Sequence, residues 1–303
     1  LKATLMKPVS APRRRLLGAA LSSSFASLAG PLAAAPTNAE PLTLLINEGA
    51  TYRSGAEGPR TTYKAIADDL TRLLHAQVRI EPVAQYPQVA AALSKQTVDL
   101  AFVHPAHIAL APVADGTYTV VAASTAHLAY RAHFLARREV PARSLTDLVK
   151  FLATPGAKPL GVPQAGSITD VLVRLSLRDA ARAVNLPQPQ LKYSAFQDAM
   201  PTMIEQGFAD IACTGSDALA KSWSAAGGRI VAQSRAVPVK TLLASSRLSR
   251  EQTDLFRTYF VGLTRTAEGV ARLERIGLPG GFSELDPVAT VATAQWLGSL
   301  GRT

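Results

Sequence analysis

The sequence predicts an α/β protein of two similar lobes, each built on a mainly parallel sheet. Three observations lead there. Short apolar runs alternate with stretches of helical periodicity, the mark of βαβ units. A chain of 303 residues is long for one domain and comfortable for two. And one phrase occurs twice. Tyr86-Pro87-Gln88-Val89 leads through Leu93 to Val98-Asp99-Leu100-Ala101-Phe102, and Gln197-Asp198-Ala199-Met200 leads through Ile204 to Ala209-Asp210-Ile211-Ala212-Cys213. Tyr86 to Asp99 and Gln197 to Asp210 are both 13 residues apart, and Leu93 to Asp99 and Ile204 to Asp210 are both 6 apart. Each half reads as a helix, a short polar turn, an Asp and a buried strand.

The elements follow in order. Leu42 to Ile46 is a strand ending at Asn47-Glu48-Gly49, followed by a polar loop to Arg60. Thr61 or Thr62 caps a helix whose Ala65, Ile66, Leu70, Leu73 and Leu74 share one buried face. Val78, Ile80 and Pro82 mark a strand, and Tyr86-Pro87 opens a helix. Val98 to Val103 is too short for a helix and suits a strand covered on both faces. Tyr118 to Ala123 and Ala132 to Arg137 are further strands. Ser144 opens a helix over 145–152, Leu160 to Pro163 is a strand, and Gln164 to Asp170 leads into a long helix through Val184. After Cys213 come a helix through Trp223, strands at 229–232 and 241–244, a helix capped by Ser249, and helices over about 268–276 and 288–297. The carboxyl end is expected to return to the first lobe.

At 48% hydrophobic and 18% charged, the composition is neither disordered nor fibrous. The formal charge is +10, but residues 1–39 hold Lys2, Lys7, Arg13, Arg14 and Arg15 and no acid; without them 27 bases face 22 acids, a net +5. A mildly basic protein suits an anionic ligand, and nothing interleaves bases with aromatics as nucleic-acid binding would need. Residues 1–39 read as an export signal. Arg13-Arg14-Arg15 precedes a small-residue stretch, Gly18 to Ala35, too weakly apolar for a membrane anchor. The paired arginines resemble the twin-arginine type, with cleavage after Ala39. The one cysteine, Cys213, excludes an internal disulfide, and none follows the apolar stretch to carry a lipid. A cleaved, unlipidated protein of the bacterial periplasm is the expectation.

Chemistry is expected where strands end and helices begin. His104-Pro105 breaks the strand before it, placing His104 and His107 at a helix amino end that favours anions. Gly166-Ser167-Ile168-Thr169 opens the long helix, where backbone N–H groups and two hydroxyls can hold an oxyanion. A plain capping role for Ser167 or Thr169 explains the same residues equally well.

The phrases Tyr63-Lys64-Ala65-Ile66-Ala67-Asp68-Asp69-Leu70, Gln85-Tyr86, Val98-Asp99-Leu100-Ala101-Phe102 with Pro105, Ser144-Leu145-Thr146-Asp147-Leu148, Gly166-Ser167-Ile168-Thr169 and Phe208-Ala209-Asp210-Ile211-Ala212 stand in an order that resembles one family. It is the phosphate/phosphite/phosphonate type of periplasmic substrate-binding protein of ABC importers. The resemblance covers Leu42 to Phe282. It implies the type II periplasmic-binding-protein fold: two α/β lobes joined by a two-crossover hinge, with lobe 1 at 40–126 plus 239–303 and lobe 2 at 127–238. It implies no enzyme activity, a monomer, an inner-membrane ABC permease as partner, and a small oxyanion closed between the lobes. Carried over by position, the ligand-facing residues are Tyr86, His104, His107, Ser167, Thr169, Gln197 and Thr214. Several depart from the family's usual residues: His104 stands where glycine is common, His107 where tyrosine is, and Gln197 where histidine is. No carboxylate stands where aminoalkyl-phosphonate binders place one.

Other readings share these residues. No cofactor is expected. His104 and His107 suit a metal by ligand type but have no neighbouring Cys or carboxylate in sequence. A sensor passing ligand occupancy to a membrane receptor would use the same cleft. Ser167, His107 and Asp170 make a triad on paper only, since no nucleophile elbow or Walker loop is present. The lobes are expected to close about Ser124–Tyr130 and Ser234–Pro238. His107 is expected to change charge near neutral pH, weakening anion binding as pH rises.

Overall fold

A computed structural model describes residues 40–49 and 58–302. The expected export signal and most of the loop after Gly49 lie outside the described residues. The chain runs β1 (Leu42–Asn47), α1 (Pro59–Thr62), α2 (Lys64–Leu74), β2 (Val78–Pro82), α3 (Tyr86–Ser94), β3 (Leu100–Val103), α4 (Ala106–Ala109), α5 (Ala111–Ala114) and β4 (Tyr118–Ser124). It continues through β5 (His133–Ala136), α6 (Leu145–Leu152), β6 (Leu160–Pro163), α7 (Ile168–Ala183), β7 (Leu191–Ser194), α8 (Ala199–Glu205), β8 (Ile211–Thr214), α9 (Asp217–Ala225) and β9 (Arg229–Gln233). It ends with β10 (Thr241–Ser245), α10 (Arg250–Gly262), α11 (Ala267–Arg275), β11 (Phe282–Ser283) and α12 (Pro287–Gly298). No helix among the described residues is long and apolar enough to cross a membrane.

The described strands form two sheets, one per lobe, ordered β11-β4-β10-β3-β1-β2 and β7-β6-β8-β5-β9. Both are mixed rather than mainly parallel. β1 runs parallel to β2 and β3, while β10 is antiparallel to β3 and β4. In the second sheet β6 is parallel to β7 and β8, while β5 is antiparallel to β8 and β9. The reversed strands β5 and β10 are those by which the chain enters each sheet from the other. They arrive without a helical crossover, so nothing imposes the parallel direction.

The repeated phrase has a structural counterpart. Asp99, just before β3, accepts the backbone N–H of Thr43 on β1 at 2.8 Å. Asp210, just before β8, accepts the backbone N–H of Lys158, ahead of β6, at 3.3 Å. Each aspartate fixes the start of the neighbouring parallel strand. The fold is thus the two-lobed α/β architecture of type II periplasmic binding proteins.

On one face of the first sheet, Leu44, Ile46 and Phe102 pack with Ile66, Leu70, Phe256 and Phe260. A second apolar cluster joins the two sheets, running from Val89, Leu93 and Val103 through Ile108 and Leu110 to Phe134, Leu172 and Cys213, and a third gathers Leu135, Met200, Ile204 and Trp223 in the second lobe. Each caps its own helix: Ser144 accepts from Asp147 N, and Ser249 forms a capping box with Gln252. Thr61 and Thr62 do not cap. They lie inside the single turn α1, which opens at Pro59 behind Gly58 because proline suits a first turn and its missing N–H is no loss there, and α2 follows from Lys64 with Tyr63 at its N-cap. The carboxyl end does not simply rejoin the first lobe. α12 packs on α5 and also on α7. Trp296 Nε1 donates to Asp179 at 2.9 Å, and Arg178 donates to the Ser299 carbonyl at 2.9 Å.

Candidate functional site

The first sheet ends toward the second lobe at β1, β3 and β10. Asn47, Val103 and Thr241 lie in register there. Beyond them the ladder continues: His104 N donates to Asn47 O at 3.1 Å, Lys240 N to His104 O at 3.0 Å, and Ser124 N to Lys240 O at 3.0 Å. Asn47 Nδ2 donates to the Val83 carbonyl at 2.7 Å and so anchors the loop leading to half-buried Tyr86. His104 lies under Gly49, whose positive φ of 86° suits glycine; a Cβ there would sit 2.8 Å from His104 Cδ2.

His107 reaches the other lobe. Its ring hydrogen-bonds the backbone of Gly166 and feels the Asp170 carboxylate. Nδ1 is buried without a partner among the described residues, which leaves Nε2 as the donor. Burial nevertheless pushes His107 down to about 4. His104 also falls to about 4, through burial first and then through the charges of Lys240, His127 and His107. Both rings are neutral at pH 7, so the charge switch expected of His107 near neutrality is absent. The anion-attracting helix end expected beside it is slight too, since α4 is a single turn.

The facing edge belongs to α7, a helix of 16 residues. Ser167 is its N-cap, its oxygen accepting from Asp170 N at 3.2 Å. The cap occupies a lone pair and leaves the O–H proton to donate. Thr169 is buried, with Oγ1 2.7 Å from Tyr130 Oη. Asp170, also buried, accepts from Gly166 N and Tyr193 Oη, both at 2.9 Å. Gln197 and Thr214 meet at the end of β8, where Gln197 Oε1 accepts from Thr214 Oγ1 at 3.2 Å and from Gly215 N at 2.6 Å.

Thus His107, Ser167 and Thr169 come together at one junction, with Asp170 and Tyr193 behind it. Gln197 and Thr214 form an adjoining network, and Gly215 joins the two because a Cβ there would meet both Tyr130 and Thr169. Tyr130, on the crossover, was not singled out by sequence; its bridge to Val237 becomes evident only when both crossovers are placed side by side. His133 faces elsewhere. Its Nε2 lies 2.7 Å from Asp217 and its Nδ1 3.0 Å from Gln233. Among the described residues no three His, Cys, Asp or Glu side chains gather as metal ligands.

A two-lobed binding protein is the class these features define: two sheets, paired crossovers, and facing edges that present N–H groups, hydroxyls and neutral imidazoles. Comparison with known proteins agrees. Residues 56–289 match the family model described as ABC transporter, phosphonate, periplasmic substrate-binding protein. The chain belongs to that family, and is a non-enzymatic phosphonate-binding component of an ABC transporter. XAC2383 from Xanthomonas citri, bound to ATP, superposes with a TM-score of 0.60 at 15% identity over 86% of this chain and 99% of that one. PhnD1 from Prochlorococcus marinus, in complex with methylphosphonate, gives 0.56 at 11% identity over 87% and 100%. The binding protein PA3383 of an ABC phosphonate transporter from Pseudomonas aeruginosa gives 0.52 at 16% identity over 86% and 86%. A search of curated protein sequences finds no match to this chain.

Proposed function

We propose that this protein captures a small phosphonate- or phosphate-like oxyanion between lobe 1 (40–126 and 239–303) and lobe 2 (127–238) and delivers it to an inner-membrane permease. It works as a monomer, exported behind a cleaved twin-arginine-type signal and carrying no lipid. The ligand contacts are Tyr86, His104 and His107 from lobe 1, and Ser167, Thr169, Gln197 and Thr214 from lobe 2. The observation that carries this reading is the meeting of His107 with Gly166, next to the Ser167 hydroxyl at the amino end of α7. A long helix offers its first N–H groups and positive dipole end to an anion, and the Ser167 hydroxyl adds a donor. In this conformation the His107 ring hydrogen-bonds the Gly166 backbone beside that helix end. Ligand binds between them, and the lobes close about Ser124–Tyr130 and Ser234–Pro238. Ligand favours the closed form only through its greater affinity for it.

The test is Ser167→Asp. Asp caps a helix as well as Ser does, so the melting temperature should hold, while its charge repels an anion. Methylphosphonate and phosphate binding, followed by calorimetry, should be lost from a folded variant. Undiminished binding by Ser167→Asp would remove the helix end from the site.

A further inference from the structure

Lys240 is unusual in three ways at once. It is only 9% exposed, although lysine is rarely buried unless paired. Its backbone is left-handed, with φ at 57°, a region costly for residues other than glycine, Asn and Asp. And it stands in the row that ends the first sheet, bonded through its backbone to His104 on one side and Ser124 on the other. Nothing in that backbone pattern needs a cation. A short polar residue would satisfy both ladder bonds with less strain.

The side chain's surroundings explain the choice. Burial lowers the Lys240 pKa, and the carboxylate of Glu48, next after Asn47, works in the opposite direction. Glu48 also faces the buried Tyr63 phenol. The Lys240 charge is felt by His104 and by His127, whose Nδ1 lies 2.9 Å from Ser124 Oγ. His107, within reach of His104, carries the line on to Gly166 in the second lobe. With His104 and His107 neutral, Lys240 is the basic group of the row that ends the first sheet, bonded on either side to His104 and Ser124.

We propose that Lys240 is a specificity-determining residue: its ammonium binds the ligand's oxyanion from lobe 1, in competition with the Glu48 carboxylate. The ligand class follows. An oxyanion without an amine satisfies Lys240, whereas an aminoalkyl-phosphonate brings a second ammonium toward a cation whose carboxylate is already engaged. This inference rests on the interlobe oxyanion site proposed above.

The test compares methylphosphonate with 2-aminoethylphosphonate by calorimetry on the wild-type protein and on Lys240→Met, which keeps an unbranched stem of similar length. The wild type should prefer methylphosphonate. Lys240→Met should lose about 10- to 100-fold in methylphosphonate affinity, the span of one charge-assisted hydrogen bond, and less for 2-aminoethylphosphonate, so the preference narrows. Unchanged methylphosphonate affinity in a folded Lys240→Met overturns the assignment and leaves the helix-end site standing. A wild type that binds neither compound overturns both. If Lys240→Met does not fold, Glu48→Gln decides. It retains a polar partner but releases the ammonium from its competing carboxylate, so methylphosphonate should bind several-fold tighter; equal or weaker binding overturns the assignment.

Discussion

Tyr130 Oη lies 2.7 Å from Thr169 Oγ1, linking a crossover to the first turn of α7. Tyr130 also pairs with Val237 on the other crossover, its N and O both bonded within 3.0 Å. The contact is possible because residue 215 is glycine. A Cβ there would fall inside the van der Waals envelope of Tyr130 Oη and 2.7 Å from Thr169 Oγ1. Gly215→Ala should therefore separate the two hydroxyls and weaken methylphosphonate binding at least 10-fold, the cost of a small misplacement at a charge-assisted contact. Tyr130→Phe, which deletes one hydrogen bond, should cost about 1 kcal/mol of stability. Calorimetry and urea denaturation read the two effects.

Acid should loosen the fold through the histidines. Burial holds both His104 and His107 at about 4, whereas unfolded imidazoles titrate near 6.5. Between these values the unfolded chain binds more protons. Stability is full above about pH 6.5 and falls as pH drops toward 4, by up to about 1.4 kcal/mol per pH unit for each ring. The urea midpoint should be lower at pH 5 than at pH 7.5, and His107→Gln should shrink the difference. Anion affinity should show no histidine-driven change between pH 6.5 and 8. A steep fall there would mean that His107 is charged.

The carboxyl-terminal helix is held to the second lobe by a few polar contacts. Arg178, 6% exposed, donates to the Ser299 carbonyl and to Asp179, and Asp179 accepts from Trp296. The Arg235 guanidinium lies 5.4 Å from the Trp296 ring centre. Trp296→Phe keeps an aromatic ring but removes one hydrogen bond to a carboxylate and part of the indole's packing, a loss of about 1–2 kcal/mol; Arg178→Met removes several charge-assisted bonds and should cost about 2–3 kcal/mol. Denaturant midpoints in that order, Arg178→Met lowest, would support the helix as a tie between the lobes. Equal midpoints would argue that the apolar packing alone holds it.

The two strand-fixing aspartates should not be equal in strength. Asp99 pairs with Arg247 at 2.9 Å and holds Thr43 N at 2.8 Å. Asp210 makes longer contacts to Lys158, 3.3 Å to its N and 3.8 Å to its Nζ. Asp99→Ala should lower stability by about 2 kcal/mol and Asp210→Ala by about 1 kcal/mol or less. Paired unfolding curves of the two variants check the ranking.

These aspartates also explain why the architecture was legible. The helix–turn–Asp–strand phrase recurs because each lobe solves the same problem of starting a parallel strand. Apolar runs and caps such as Ser144 and Ser249 are local signals, and they located helices to within a residue or two. Strand direction was not legible, since β5 and β10 take theirs from chain paths fixed at long range. β7 was missed because its burial is only partial at a sheet edge. Ser167 was half legible: its capping role is local, whereas its place beside His107 depends on how the lobes meet. Tyr130, Glu48 and Lys240 carried no motif at all. Their roles arise from side-by-side strands far apart in sequence, and from a lysine whose left-handed backbone no propensity would suggest.

Cys213 lies on β8 with no exposed surface, and burial pushes its thiol well above the ordinary range. Alkylating reagents attack the thiolate, so the native chain should resist them until β8 comes apart. With one sulfhydryl in the whole sequence, the rate of modification becomes a built-in clock for unfolding, and its slowing on adding methylphosphonate would report occupancy without any attached label.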